Sequence, residues 1–80
     1  LVLGFSAETN DIIENSQKKI NEKSCDWLIA NDVSNKEIGF DSDFNEVSIL
    51  YKNGEIENIF KDKKSAIANK IVKKIVSNLE

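Results

Sequence analysis

The 80-residue sequence has no histidine, no arginine, no proline and no methionine, and its only cysteine is Cys25. Without histidine there is no Cys-His or Ser-His catalysis and no His-ligated zinc, and without arginine there is no planar fork for bidentate recognition. All cationic chemistry falls to eleven lysines. A lone cysteine closes no internal disulfide, which excludes a small secreted disulfide scaffold and fits a reducing compartment. No apolar run approaches the ~20 residues that a membrane helix needs, and no secretory or lipidation motif is present. A cytoplasmic location without membrane association is expected. Fourteen acidic residues against eleven lysines leave a net charge of −3. That balance argues against a nucleic-acid binder, whose affinity comes from counterion release at a basic face.

What is present reads as one small α/β domain. A chain of this length buries only roughly 60% of its extended surface, so its stability margin is thin. It opens directly on an apolar strand, residues 1–5, of a kind that normally has neighbours on both sides, and a fragment or split subunit is therefore expected. The small polar run Ser6-Ala7-Glu8-Thr9-Asn10 follows. It predicts a strand-to-helix turn, with Thr9 or Asn10 as the cap of a helix running to about Ser24. Trp27-Leu28-Ile29-Ala30 is a continuous apolar run, the pattern of a strand buried on both faces, and is expected to lie parallel to the first. Residues 33–45 lack apolar periodicity and predict a long loop. Val47, Ile49 and Tyr51 alternate with Ser48, Leu50 and Lys52. Asn53-Gly54 then supplies a hairpin turn, and Ile56, Ile59 and Phe60 the returning strand. A closing helix over residues 61–80 is predicted with Asp62 as its cap and Ala68, Ile71, Val72, Ile75, Val76 and Leu79 as its apolar stripe.

Three segments carry a family resemblance. Gly4-Phe5-Ser6-Ala7-Glu8-Thr9-Asn10, then Leu28-Ile29-Ala30-Asn31-Asp32-Val33-Ser34, then Gly39-Phe40-Asp41-Ser42-Asp43-Phe44-Asn45-Glu46-Val47 stand in order along nearly the whole chain. In order and spacing the chain resembles the C-terminal half of the phosphopantothenoylcysteine synthetase domain. In bacteria that domain follows a flavin-dependent decarboxylase, so FMN belongs to the decarboxylase domain alone. The resemblance implies the C-terminal part of a Rossmann-like (ribokinase-like) three-layer sheet. It also implies a CTP-dependent ligase that joins 4′-phosphopantothenate to cysteine through an acyl-cytidylate, with Mg2+ and as a homodimer. On the family pattern Phe5 packs at the nucleotide, and Lys19 and Lys23 hold the triphosphate.

The residues themselves are compatible with these roles. Lys19 and Lys23 are four apart, so on a helix both ammonium groups project from one face and can converge on one polyanion. Taken without the motifs, they read as solvated helix surface and Phe5 as core. Asn31 and Asp32 are second-rank nucleotide-site candidates, placed beyond the carboxyl end of a strand, where open α/β sheets bind ligands; Asn-Asp is also an ordinary turn pair. Glu8 is either a cap or ribose contact or an exposed carboxylate at a helix start. Asp41 and Asp43 lack the full ligand pattern of a calcium loop, and a structural turn is expected there. Cys25 is expected to be a buried or half-buried spectator. The family's Gly-rich loop, lysine-rich segment and acyl-cytidylate Asn lie N-terminal to the first strand. The isolated chain is therefore expected to contribute no catalytic residue, to need the N-terminal half of the domain as partner, and to be inactive alone. The alternative is a non-catalytic α/β assembly or dimerisation module.

Overall fold

The computed structural model describes residues 1–33 and 43–79. Most of the expected loop, including Asp41, lies outside the described residues. The elements are β1 (Leu3–Glu8), α1 (Ile12–Glu22), β2 (Trp27–Asp32), β3 (Phe44–Tyr51), β4 (Ile56–Lys63) and α2 (Lys64–Leu79). The four strands form one sheet in the order β1-β2-β3-β4. As the sequence predicts, β1 and β2 are parallel and β3 and β4 form an antiparallel hairpin; β2 and β3 are also antiparallel.

Alternation of side chains along the strands divides the core into two layers. Leu28, Ala30 and Leu50 pack with Cys25 and with Ile12, Ile13 and Ile20 of α1. Trp27, Ile29, Val47, Ile49 and Ile59 pack on the other face with Ile67, Ile71 and Ile75 of α2. The continuous apolar run of β2 is thus explained, because this interior strand is covered on both faces. At the hairpin, Gly54 adopts φ 95°, and its N–H donates to the Tyr51 carbonyl at 2.9 Å.

Several element ends differ from the sequence reading, and at the strand ends the cause is backbone pairing. β1 does not stop at Phe5, because Ser6, Ala7 and Glu8 pair with Ala30, Asn31 and Asp32. Backbone pairing carries the strand through its polar residues, closed by Val33 N–H donating to Glu8 O at 2.9 Å. Asn31 and Asp32 accordingly end β2 and do not lie beyond it. The cap of α1 is neither Thr9 nor Asn10. Asp11 takes that place in a left-handed conformation with no side-chain cap bond, and Lys23 closes the helix.

β4 likewise continues to Lys63, which pairs with Phe44, so Asp62 is a strand residue and not a helix cap. α2 begins only at Lys64, whose N–H donates to Asp43 O at 2.9 Å. Leaving the strand directly, the helix turns Ile67 into the core, while Ala68, Val72, Val76 and Leu79 are exposed. The stripe facing the sheet is therefore Ile67, which is buried, with Ile71 and Ile75, which are partly buried.

Candidate functional site

α1 returns along β1, so residues one helical turn apart meet successive parts of that strand. Lys19 pairs through Nζ with Glu8 Oε1 at the end of β1. One turn later, Lys23 Nζ donates to the Phe5 carbonyl at 3.3 Å. The direction of that carbonyl follows from the strand's alternation. Val2 O accepts from Asp26 N and Glu8 O from Val33 N, so even-numbered backbone groups face β2. The odd-numbered ones, Phe5 among them, face the outer edge of the sheet, and Lys23 covers that edge.

The two lysines therefore share a helix face, as their spacing predicts, but their surroundings differ. Lys23 is exposed, whereas the Lys19 side chain is 36% exposed and ion-paired. Glu8 is the larger correction. It is 6% exposed and paired, not an exposed carboxylate at a helix start. The sequence contains a signal for this. Gly4, Ser6 and Glu8 alternate on the side of β1 that faces α1, and a carboxylate there requires a cation from the helix.

Phe5 follows Leu3 in the alternation, so its ring lies on the α2 face of the sheet, 61% exposed. Asn31 follows Trp27 and Ile29 to that same face, where its buried Oδ1 makes no hydrogen bond among the described residues. Asp32 lies on the α1 face, directly across from Glu8. Phe5 and Asn31 are thus on one face of the sheet, and Lys19, Lys23, Glu8 and Asp32 on the other. A ligand touching the Phe5 ring and both lysines must cross the outer edge of β1.

Chemically, this arrangement offers ammonium donors for an anion and an apolar wall for a ring. It offers little to a metal. Among the described residues no three potential ligands from His, Cys, Asp and Glu are grouped, and Glu8 is already engaged by Lys19. The described residues do not form a magnesium cage. An open recess lined by Leu1, Asp26, Trp27, Tyr51, Lys52 and Leu79 lies at the opposite end of β1 and β2 and includes neither Lys19 nor Lys23. No helix among the described residues is long and apolar enough to cross a membrane.

Comparisons with known proteins agree with this architecture. Over 73 residues the chain is 37% identical to the coenzyme A biosynthesis bifunctional protein CoaBC of Vibrio vulnificus, spanning 91% of the chain and 18% of that protein. The corresponding protein of Bacillus subtilis is 43% identical over 54 residues, which is 68% of the chain and 13% of the relative. A crystal structure of the C-terminal domain of CoaBC superposes with a TM-score of 0.76 at 32% identity, covering 99% of this chain and 35% of that one. The chain therefore corresponds to a minor part of the proteins it matches. Residues 1–79 match the model of the DNA/pantothenate metabolism flavoprotein C-terminal domain, and the chain belongs to that family.

Proposed function

We propose that this chain contributes the nucleotide-facing C-terminal part of a CTP-dependent phosphopantothenate–cysteine ligase in coenzyme A biosynthesis. The observation that carries this reading is the placement of Lys19 and Lys23 on one face of α1, with their amines at β1. In this role the two amines receive the triphosphate of CTP, and the exposed Phe5 ring covers the base or ribose across the strand edge. Asn31, with its unpaired Oδ1 on the Phe5 face, is a second polar contact for the nucleoside; Asp32 borders the lysine side.

The reaction joins the carboxylate of 4′-phosphopantothenate to the α-phosphate of CTP and expels pyrophosphate. The cysteine amine then attacks the acyl carbon and displaces CMP. The lysines stabilise charge that moves onto the departing pyrophosphate. No residue of this chain is assigned to bond making. Magnesium is brought with the nucleotide phosphates rather than held by a cage here. The remaining parts of the site come from the N-terminal half of the domain, and the assembly works as a cytoplasmic homodimer.

A titration of isotope-labelled chain with CTP and magnesium tests this reading. Amide shifts should cluster at Phe5, Lys19 and Lys23 and be larger for CTP than for ATP. Lys19→Ala and Lys23→Ala should each weaken CTP binding by roughly tenfold, in the range of one charge-assisted hydrogen bond. Equal CTP affinity in both variants would reject the site. A second reading, a non-catalytic assembly module, draws on the exposed apolar side chains of α2 at Val72, Val76 and Leu79. Its mark is concentration-dependent dimerisation with indifference to nucleotide.

A further inference from the structure

We propose that Glu8 is the positioning residue of the lysine pair: it fixes Lys19 at the end of β1 and cancels its charge, leaving Lys23 as the source of net attraction for a polyanion. This rests on the reading that Lys19 and Lys23 meet a triphosphate. Glu8 is nearly fully buried, and Lys19 is its ion-pair partner. Drawing Lys19 away would leave a buried carboxylate uncompensated, which is strongly unfavourable. Lys19 therefore keeps its bond to Glu8 when an anion arrives. An ammonium group has three N–H donors, so two remain for phosphate oxygens.

Charge balance separates the two lysines, since Lys19 is neutralised by Glu8. Lys23 differs on each count. It is exposed, and its hydrogen bond goes to the neutral Phe5 carbonyl. No carboxylate among the described residues pairs with it, and its one bond to a neutral carbonyl is readily exchanged for a ligand. One lysine is thus a fixed donor with no net field, and the other a mobile charge.

Calorimetric titration of the chain with inorganic tripolyphosphate and with CTP, at low and high salt, tests this division. Glu8→Gln keeps an acceptor for Lys19 and removes the negative charge. It should bind tripolyphosphate about tenfold tighter than the parent chain at low salt, with most of that gain lost at high salt. Glu8→Ala removes acceptor and charge together, and should bind about fivefold more weakly than Glu8→Gln because Lys19 is no longer fixed. In a Lys19→Met background the Gln and Ala variants should be indistinguishable.

Equal affinities of Glu8→Gln and Glu8→Ala with Lys19 present would reduce Glu8 to a source of repulsion and overturn the proposal. So would weaker binding by Glu8→Gln than by the parent chain. Should the Glu8 variants fail to fold, Lys23→Met decides. It should remove most of the salt dependence of tripolyphosphate binding, and a retained dependence overturns the proposal. CTP binding no tighter than tripolyphosphate in every variant would reject the nucleotide reading and leave the role of Glu8 standing. Binding of neither ligand to the parent chain would remove both.

Discussion

At Gly4 the absence of a side chain is a packing requirement. A Cβ there would lie 3.0 Å from Cys25 Sγ and 3.0 Å from Leu28 Cδ1, and both neighbours are buried. Gly4→Ala should cost about 1–3 kcal/mol as an overpacked core, read as a lower denaturation midpoint at unchanged slope. Gly54 matters for another reason. Nothing lies within 4 Å of its ideal Cβ, yet its φ of 95° is one that L side chains rarely adopt. Gly54→Ala should cost about 1–2 kcal/mol through the backbone alone, and Gly54→Asn less, since Asn tolerates positive φ better. The Asn53-Gly54 turn was readable because its conformational demand is local. The demand at Gly4 was not, since it depends on Cys25 and Leu28, more than twenty positions along the chain. The lysine pair shows the same division: its spacing fixed a common helix face and the alternation of β1 asked for a cation at Glu8, but neither told which lysine would supply it.

Among the elements, α2 is held to the sheet by side-chain pairs as well as by Ile67. Lys74 Nζ donates to Glu57, and Lys70 Nζ lies 3.3 Å from Asp62 Oδ2. The Lys74 hydrogen bond, helped by one from Tyr51, holds the Glu57 carboxyl below the usual carboxylate range. Asp62 is lowered first by the Lys63 backbone N–H and then by Lys70. A carboxyl lowered in the folded state binds fewer protons there than in the unfolded chain. Its contribution is present above the ordinary carboxylate range and lost as pH falls through the lowered value. The thermal midpoint should therefore drop on acidification below that range, and Glu57→Gln should flatten part of the slope. Tyr51 acts in the opposite direction. Burial, followed by its bond to Glu57, raises its pKa, so its contribution is lost as pH rises past the usual tyrosine value. The strands and helices were legible as periodic or continuous apolar segments. Their ends were not, because β1 and β4 finish where a neighbouring strand stops pairing: Glu8 with Asp32, and Lys63 with Phe44. That shift also turned the closing helix, replacing Ala68 by Ile67 in the core.

Among the described residues the sheet ends at β1 on one side and β4 on the other. The outward backbone groups of β1 belong to Leu3, Phe5 and Ala7, with Lys23 bound to the middle carbonyl. A charged side chain laid on an unpaired edge discourages further strand pairing. In the chain alone, the amides of Leu3, Phe5 and Ala7 should exchange with deuterium faster than those of Gly4 and Ser6, which face β2. Comparable protection of both sets would mean that another strand occupies the edge in solution. The α/β class and the parallel β1–β2 pair followed from the apolar runs and the helix between them. The division of the candidate site between two faces did not, because a sequence motif gives the order of Phe5, Asn31 and the lysines but not the parity of each on its strand.

Cys25 gives this arrangement a clock. It is the only thiol in the chain, 2% exposed, beneath α1 and against Gly4. An alkylating reagent reaches it only when α1 lifts from β1 and β2, so the rate of modification counts those openings one molecule at a time. A ligand held by Lys19 and Lys23 fastens the same helix down, and CTP at a hundred times its dissociation constant should slow alkylation roughly a hundredfold. The sulfur would then report occupancy of a site it never touches.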